Sequence, residues 1–210
     1  MTEAGGRAGR IRDAAVSVVR RSPATFALIA VLLLVGLITQ SLWRPASEQP
    51  WFELVAYGLP SLEAGRWWTP ITGTFIVISP LVYIPTILGF VGMAFVERRK
   101  GTRFALTWYG FGQLVSLALT MLFLLAAGAL PWPWAQDLAG NLDGGPSGGT
   151  MALLAIAAGL LPAPWRQRAW IVVFGVLALA GAVAVVGYAV WLAQRVGDVL
   201  AEVDVVAARF

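Results

Sequence analysis

The chain has 210 residues, of which 59% are hydrophobic and 12% charged, and its mean hydropathy is +0.76. Because soluble globular domains carry about 25% charged residues, this composition excludes an ordinary soluble domain and predicts an all-α integral membrane protein. Cysteine and histidine are absent, so disulfides, thiolate chemistry and the usual general base are excluded, and we expect no metal and no cofactor. The net charge of +4 indicates membrane orientation rather than nucleic-acid binding.

Five long, uncharged apolar stretches predict transmembrane helices within one domain, 23–193. A basic segment, 1–22, precedes this domain, and a polar tail, 194–210, follows it. The second stretch contains Pro80 and Pro85, which we expect to kink or unwind its outer part. The five predicted helices lie at about 23–42, 71–96, 104–130, 147–161 and 169–193.

The charged residues predict the orientation of this bundle. Most of the 15 basic residues fall before the first helix, between the second and third, or between the fourth and fifth. Basic loops stay on the cytoplasmic side of a membrane. The sequence therefore predicts a multi-pass protein of the cell membrane, with its N-terminus in the cytoplasm.

The outer loop between the first two predicted helices contains the sequence PWFELVAYGLP, residues 50–60. Its apolar residues recur at helical spacing, and a proline occupies the first turn. This pattern predicts a short helix that lies in the outer membrane interface.

Small residues on the third and fourth predicted helices indicate where these helices pack. Gly112, Ser116 and Thr120 share one face of the third helix, and Gly148 and Ala152 share one face of the fourth. Small side chains let membrane helices approach closely. This pattern is expected in any polytopic bundle and does not indicate a function.

Three stretches occur in an order typical of one membrane protein family. They are GRWWTPITGTF at 65–75, VERRKGTRFALTWY at 96–109 and GPSG at 145–148. Together they resemble the rhomboid intramembrane serine proteases, in which the serine of a Gly-x-Ser-Gly motif is the nucleophile at the outer end of the fourth helix. The resemblance implies a rhomboid-like helical bundle with Ser147 at the nucleophile position.

The chain departs from that family where catalysis needs partners for the serine. Segment 76–86 lacks the His and Asn that the family uses in its oxyanion site, and Thr69 stands where the family often has Arg. A serine hydroxyl needs a base within hydrogen-bond reach. Lys100, the single lysine, lies on the predicted cytoplasmic side, and Asp143 in a loop is a poor base at neutral pH. We therefore expect a pseudoprotease with no catalytic residue.

A second resemblance is to the rhomboid-like membrane part of bacterial lysylphosphatidylglycerol synthetase/flippase proteins. It is carried by WWTPIT, ERRKGTR and GPSGG ahead of LPAPWRQR. In that family a soluble aminoacyl-transferase domain accompanies the membrane part. Because no such domain follows Phe210 in this sequence, the resemblance implies that this chain is only the membrane part, and a soluble-domain protein is then one candidate partner beside a transmembrane one.

Two groups of residues are candidate binding sites. The outer group would line a cavity in place of an active site, and it comprises Gly145, Ser147, Gly148, Trp68 and Thr72. The inner group is expected to be a solvated cluster at the membrane edge or, alternatively, a site for anionic lipid headgroups. It comprises Glu97, Arg98, Arg99 and Lys100.

Three functions stay open at this point. The first is a non-proteolytic rhomboid-like protein that binds a membrane lipid or a transmembrane partner in the former active-site cavity. The second is the membrane part of an aminoacyl-phosphatidylglycerol synthase or flippase. The third is an active rhomboid protease with an unrecognised base. Beside all three stands a purely structural interpretation, in which the glycine-rich turn only starts a helix.

Overall fold

In a computed structural model, the structure describes residues 17, 19–129, 133–175 and 178, and the secondary structure of these residues is helical. The expected all-α class is confirmed for this part of the chain. The chain divides into two units, Met1–Gly159 and Leu160–Phe210. In the second unit the described residues form a helical segment, 163–175.

The first unit contains long and short helices in alternation with irregular segments. In chain order its described helices are α1 (Pro23–Ile38), α2 (Phe52–Val55), α3 (Leu59–Glu63), α4 (Thr69–Thr72), α5 (Tyr83–Lys100), α6 (Thr102–Gly128), α7 (Pro133–Ala139) and α8 (Ser147–Gly159). Single turns of 3₁₀ helix lie at Ala46–Glu48, Gly73–Phe75 and Pro80–Val82.

Two helical segments, Pro80–Lys100 and Thr102–Gly128, are long and apolar enough to cross a membrane. Only 33% and 22% of their most apolar stretches are buried inside the protein, so most of this apolar surface faces outward. Gly101 separates the two segments with a φ of +91°, a conformation that glycine adopts without strain. The third predicted helix agrees with α6.

The second predicted helix, 71–96, is wrong at its outer end. α5 begins only at Tyr83, and residues 69–82 form α4 and two 3₁₀ turns instead. The expected effect of the two prolines is confirmed, because Pro80 opens a 3₁₀ turn and Pro85 lies in the first turn of α5. A first-turn N–H has no partner within its helix, so proline is tolerated there.

The other predicted boundaries shift for local reasons. α1 ends at Ile38 rather than at residue 42, and a turn follows at Gln40, which has a φ of +62°. The predicted outer helix at 50–60 is divided into α2 and α3, because Ala56 is extended and Tyr57 pairs with Asp143. The helical segment in the second unit starts before the predicted residue 169. The polar tail, most of the predicted fifth helix and most of segment 1–22 lie outside the described residues.

α5 and α8 pack against each other in parallel. A methyl group built on Gly89 would lie 3.2 Å from Thr150 Cβ, and one built on Gly92 would lie 2.7 Å from Leu154 Cδ2. Contacts that advance together along both helices define a parallel pair. The N-terminus of α8 therefore lies at the same end of the bundle as the N-terminus of α5.

α6 runs antiparallel to α8 through small residues. Gly112 lies against Ala152, and a methyl group built on Gly148 would lie 2.6 Å from Ser116 Cβ. Neither glycine has room for a side chain unless the helices move apart. The predicted packing through these four residues is confirmed, and it lets α5, α6 and α8 form the centre of the first unit.

Candidate functional site

Ser147 is the first residue of α8 and is exposed. Its hydroxyl forms no hydrogen bond with the described residues. The neighbouring Gly148 lies opposite Ser116, twelve residues before the end of α6 at Gly128. At 1.5 Å per residue, Ser147 is about 18 Å below that end, near the middle of a helix about 40 Å long. α8 thus starts deep in the bundle.

The loop before Ser147 is held through Gly145. The Gly145 N–H donates to the Gly73 carbonyl at 2.8 Å. The Gly145 carbonyl accepts hydrogen bonds from the Tyr57 hydroxyl at 3.1 Å and from Gln113 Nε2 at 3.0 Å. Gly145 has a φ of +134°, where any other residue is strained. The loop is therefore fixed by backbone geometry as well as by three hydrogen bonds.

Gln113 holds both sides of Ser147 with one buried amide. Its Oε1 accepts a hydrogen bond from the Gly149 N–H at 2.8 Å, and its Nε2 donates to Gly145 and, at 3.2 Å, to Thr74 Oγ1. The side chain is 4% exposed, so each of these bonds is sheltered from water. Gln113 was not among the residues predicted from the sequence. The sequence does contain a signal for this residue, because Gln113 is the one amide side chain in the apolar stretch 104–130.

Tyr57 connects the outer loop to the segment before Ser147. Its N–H donates to the Asp143 carbonyl at 3.0 Å, and the Asp143 N–H donates back at 2.8 Å. Burial raises the pKa of the Tyr57 phenol above its ordinary value of 10.0, and the nearby charge of Asp143 raises it further. The phenol therefore keeps the proton that it donates to Gly145.

Asp143 is the nearest acidic residue to Ser147 in sequence. Its carboxylate accepts a hydrogen bond from the Gly144 N–H at 2.7 Å and forms none with Ser147. Although the residue is exposed, the surrounding protein partly desolvates the carboxylate and raises its pKa, and the bond from Gly144 opposes this shift. The carboxylate is thus oriented by its own loop and not by the serine.

Trp68 and Thr72, two predicted cavity residues, support the outer loop. Trp68 Nε1 donates to the Leu54 carbonyl at 2.9 Å, and Thr72 Oγ1 donates to the Val55 carbonyl at 2.9 Å. These carbonyls lie at the end of α2, so both side chains fix α2 on α4. Trp68 and Thr72 therefore have a supporting role among the outer candidate residues. Ser147 differs from them, because its hydroxyl forms no side-chain hydrogen bond in the described structure.

Glu97, in the inner candidate group, is buried with 3% exposure. Its carboxylate accepts hydrogen bonds from the Ala24 N–H at 2.9 Å, the Thr25 N–H at 3.0 Å, the Thr25 hydroxyl at 2.7 Å and the Thr102 hydroxyl at 2.8 Å. The expectation of a solvated cluster is wrong for this residue. Glu97 caps the N-terminus of α1, whose first turn contains no acidic residue of its own.

The three basic residues that follow Glu97 are exposed, as a solvated cluster requires. Arg98 Nε donates to Ser22 Oγ at 3.0 Å, and the Arg99 guanidinium lies 5.0 Å from the centre of the Phe95 ring. From the pairing of α5 with α8, Lys100 is fourteen residues, or about 21 Å, along the helix axis from the level of Ser147. Lys100 is too far away to activate that serine.

Among the described residues, no group of three or more acidic side chains is placed to hold a metal ion. Comparison of the chain with protein-family models, with curated proteins and with solved structures finds no match. The rhomboid resemblance therefore rests on the three sequence motifs alone. What the site offers chemically is one exposed hydroxyl at the start of α8, directly after a loop that is held by hydrogen bonds at Gly145.

Proposed function

We propose that the chain is a non-proteolytic, rhomboid-like integral membrane protein that binds a lipid or the transmembrane segment of a partner at the recessed end of α8. The observation that carries this proposal is the depth of Ser147, about 18 Å below the end of α6. If α6 crosses a hydrocarbon layer about 30 Å thick, Ser147 lies within that layer. Only a ligand that enters the membrane reaches such a depth from the side.

The missing chemistry around Ser147 supports the absence of proteolysis. The chain has no histidine, the Asp143 carboxylate is bonded to Gly144, and Lys100 lies at the other end of α5. Loss of a triad base costs several orders of magnitude in rate. The two hydrogen bonds of Gln113 to Gly145 and Gly149 then serve to fix a binding surface.

The outward-facing apolar surface supports a location in a membrane. On α5 and α6 large side chains such as Leu88, Val91 and Leu122 are more than 60% exposed, which water would penalise. With the basic residues placed by the positive-inside rule, we propose several membrane-spanning helices and a cytoplasmic N-terminus.

Proteolysis is tested with a fluorophosphonate probe, which labels activated serines. We expect no labelling of Ser147 in detergent or in liposomes, under conditions in which a serine hydrolase is labelled. The Ser147→Ala variant is the matched control. Labelling of the unaltered protein that disappears in this variant would establish an active protease and overturn the proposal.

The environment of Ser147 is tested with a nitroxide on a Ser147→Cys variant in liposomes. The chain contains no cysteine, so the label has one site. We expect relaxation by oxygen, which concentrates in lipid, to exceed relaxation by a water-soluble nickel chelate. A Glu53→Cys variant on the outer loop should show the reverse order. A dominant nickel effect at position 147 would contradict a lipid-exposed site.

Topology is tested with a membrane-impermeant maleimide on Glu53→Cys and Lys100→Cys variants, both of which alter exposed residues. In intact cells we expect labelling at position 53 and none at position 100, which should react only after permeabilisation. The opposite pattern would reverse the proposed orientation.

A further inference from the structure

A groove of about 310 Å³ lies between α3, the end of α6 and α7, and it has no part in the Ser147 site. α3 contributes Leu59 and Glu63, and α6 contributes Leu124 and Leu125. Ala139 of α7 lies against Gly128 and closes the far wall. The groove is large enough for a headgroup and the first part of a hydrocarbon chain, but not for a protein helix.

The lining of this groove combines one negative charge with an apolar floor. Leu59 and Leu124 are each 8% exposed and form that floor. Glu63 is exposed at the groove, and its carboxylate forms no hydrogen bond or ion pair within the described part of the chain. An unpaired carboxylate beside buried leucines complements a molecule that carries a cation next to hydrocarbon.

The surroundings of the groove indicate where that hydrocarbon comes from. Leu125 lines the groove and is 54% exposed, and Leu122 and Phe123 beside it on α6 are 63% and 60% exposed. The groove therefore opens onto the outward-facing apolar surface of a helix long enough to cross a membrane. An acyl chain along this surface would cover the exposed leucines while its headgroup stayed in the groove.

We infer that this groove binds a phospholipid with a protonated primary amine in its headgroup, with Glu63 as the counter-ion and Leu124 and Leu125 against the lipid chain. An anionic phospholipid without an amine would bring its negative charge against Glu63. A small water-soluble amine would gain the ion pair without the apolar contact. The inference rests on the proposed membrane location and is independent of any role of Ser147.

Native mass spectrometry of the purified protein, released from detergent micelles, tests this inference. The protein is mixed with equal amounts of a phosphatidylethanolamine and a phosphatidylglycerol that have identical acyl chains. We expect more bound ethanolamine lipid than glycerol lipid. In the Glu63→Gln variant the ratio should fall about threefold, the effect of losing one exposed ion pair. In Glu63→Lys the order of preference should reverse.

The control variant is Glu53→Gln, which removes another exposed carboxylate, on α2 outside the groove, and should leave the ratio unchanged. An unchanged ratio in Glu63→Gln, or an equal fall in Glu53→Gln, would overturn the inference. Water-soluble phosphoethanolamine should not displace the lipid, and displacement would show that the groove recognises the headgroup alone. The proposed membrane location is tested separately: if the protein stays dissolved without detergent, that location is wrong, whatever the lipid ratios show.

Discussion

Gly112 of α6 lies directly against Ala152 of α8, and a side chain on Gly112 has no room between the two helices. Two residues earlier, the position that a Cβ of Gly110 would occupy has no atom within 4 Å apart from the local backbone of α6 itself. The two glycines thus differ in packing while they share one helix. This pair allows the effect of helix contact to be separated from the effect of helix propensity.

Gly112→Ala should therefore destabilise the protein, whereas Gly110→Ala should stabilise it. Overpacking costs about 1–3 kcal/mol, and replacement of glycine by alanine in a helix returns about 1 kcal/mol. We expect Gly112→Ala to lower the free energy of unfolding by about 1 kcal/mol, measured by titration with sodium dodecyl sulfate in mixed micelles. Addition of Ala152→Gly should restore part of the loss, and a double variant less stable than Gly112→Ala alone would contradict the described contact.

Removal of the Glu97 carboxylate should leave the first turn of α1 without its cap. Glu97→Ala deprives the N–H groups of Ala24 and Thr25, and the Thr25 hydroxyl, of their acceptor. Each buried donor without a partner costs about 1–3 kcal/mol, so we expect a loss of at least about 3 kcal/mol in the free energy of unfolding. Glu97→Gln keeps one acceptor oxygen and should lose less.

The matched control for this cap is Glu53→Ala, which removes an exposed carboxylate and should change stability by less than about 0.5 kcal/mol. If Glu97→Ala proves as harmless as this control, Glu97 is solvated and the described cap is wrong.

Replacement of Gln113 should loosen the loop on both sides of Ser147. Gln113→Leu removes the acceptor for the Gly149 N–H and one of two side-chain donors to the Gly145 carbonyl. A lost buried hydrogen bond of about 1.4 kcal/mol corresponds to about tenfold faster amide exchange. We expect that increase in peptides that cover residues 143–150, measured by hydrogen–deuterium exchange, with no change in α1. A uniform increase along the chain would indicate global destabilisation instead.

Tyr57 should make stability depend on pH above its ordinary pKa of 10.0. Because burial and the charge of Asp143 raise the pKa in the folded state, the unfolded state loses the phenol proton first as the pH rises. The contribution of the Tyr57 phenol to the free energy of unfolding is therefore constant below about pH 10 and falls above it. The free energy of unfolding, measured between about pH 8 and pH 11, should fall less steeply in Tyr57→Phe.

Asp143→Asn provides the second arm of this test. Without the carboxylate charge the pKa of Tyr57 should be raised less, so the alkaline loss should be smaller than in the unaltered protein. The other tyrosines are present in all of these variants. Identical slopes in the unaltered protein and Tyr57→Phe would show that the phenol titrates normally.

Hydropathy and residue size predicted the parts of the fold that depend on local pattern. α6 and α8 agree with predicted helices within two residues at each end, and the contacts of Gly112 and Gly148 follow from small residues at helical spacing. The prediction of a continuous membrane helix at 71–82 was wrong, because the apolar composition of this segment is the same for a membrane helix and for a compact loop with exposed apolar side chains. The prolines gave the one local signal for that difference.

The candidate site was less predictable because its geometry depends on residues far apart in sequence. Ser147 was identified from its motif, but its depth follows from the pairing of Gly148 with Ser116. Gln113 and Tyr57 act through hydrogen bonds to Gly145, 32 and 88 residues away. Glu97 looked like one member of a charged run, since nothing in its neighbouring residues indicates an acceptor role toward α1.

The distance in sequence between Thr25 and Glu97 also orders events during synthesis of the chain. The two residues are 72 positions apart, and ribosomes add about 5–20 residues per second. α1 is therefore made about 4–14 seconds before its capping carboxylate exists. During that interval other hydrogen-bond acceptors, such as water, must satisfy the first N–H groups of α1. The N-terminus of α1 therefore acquires its final hydrogen bonds only after the C-terminal turn of α5 has been synthesised.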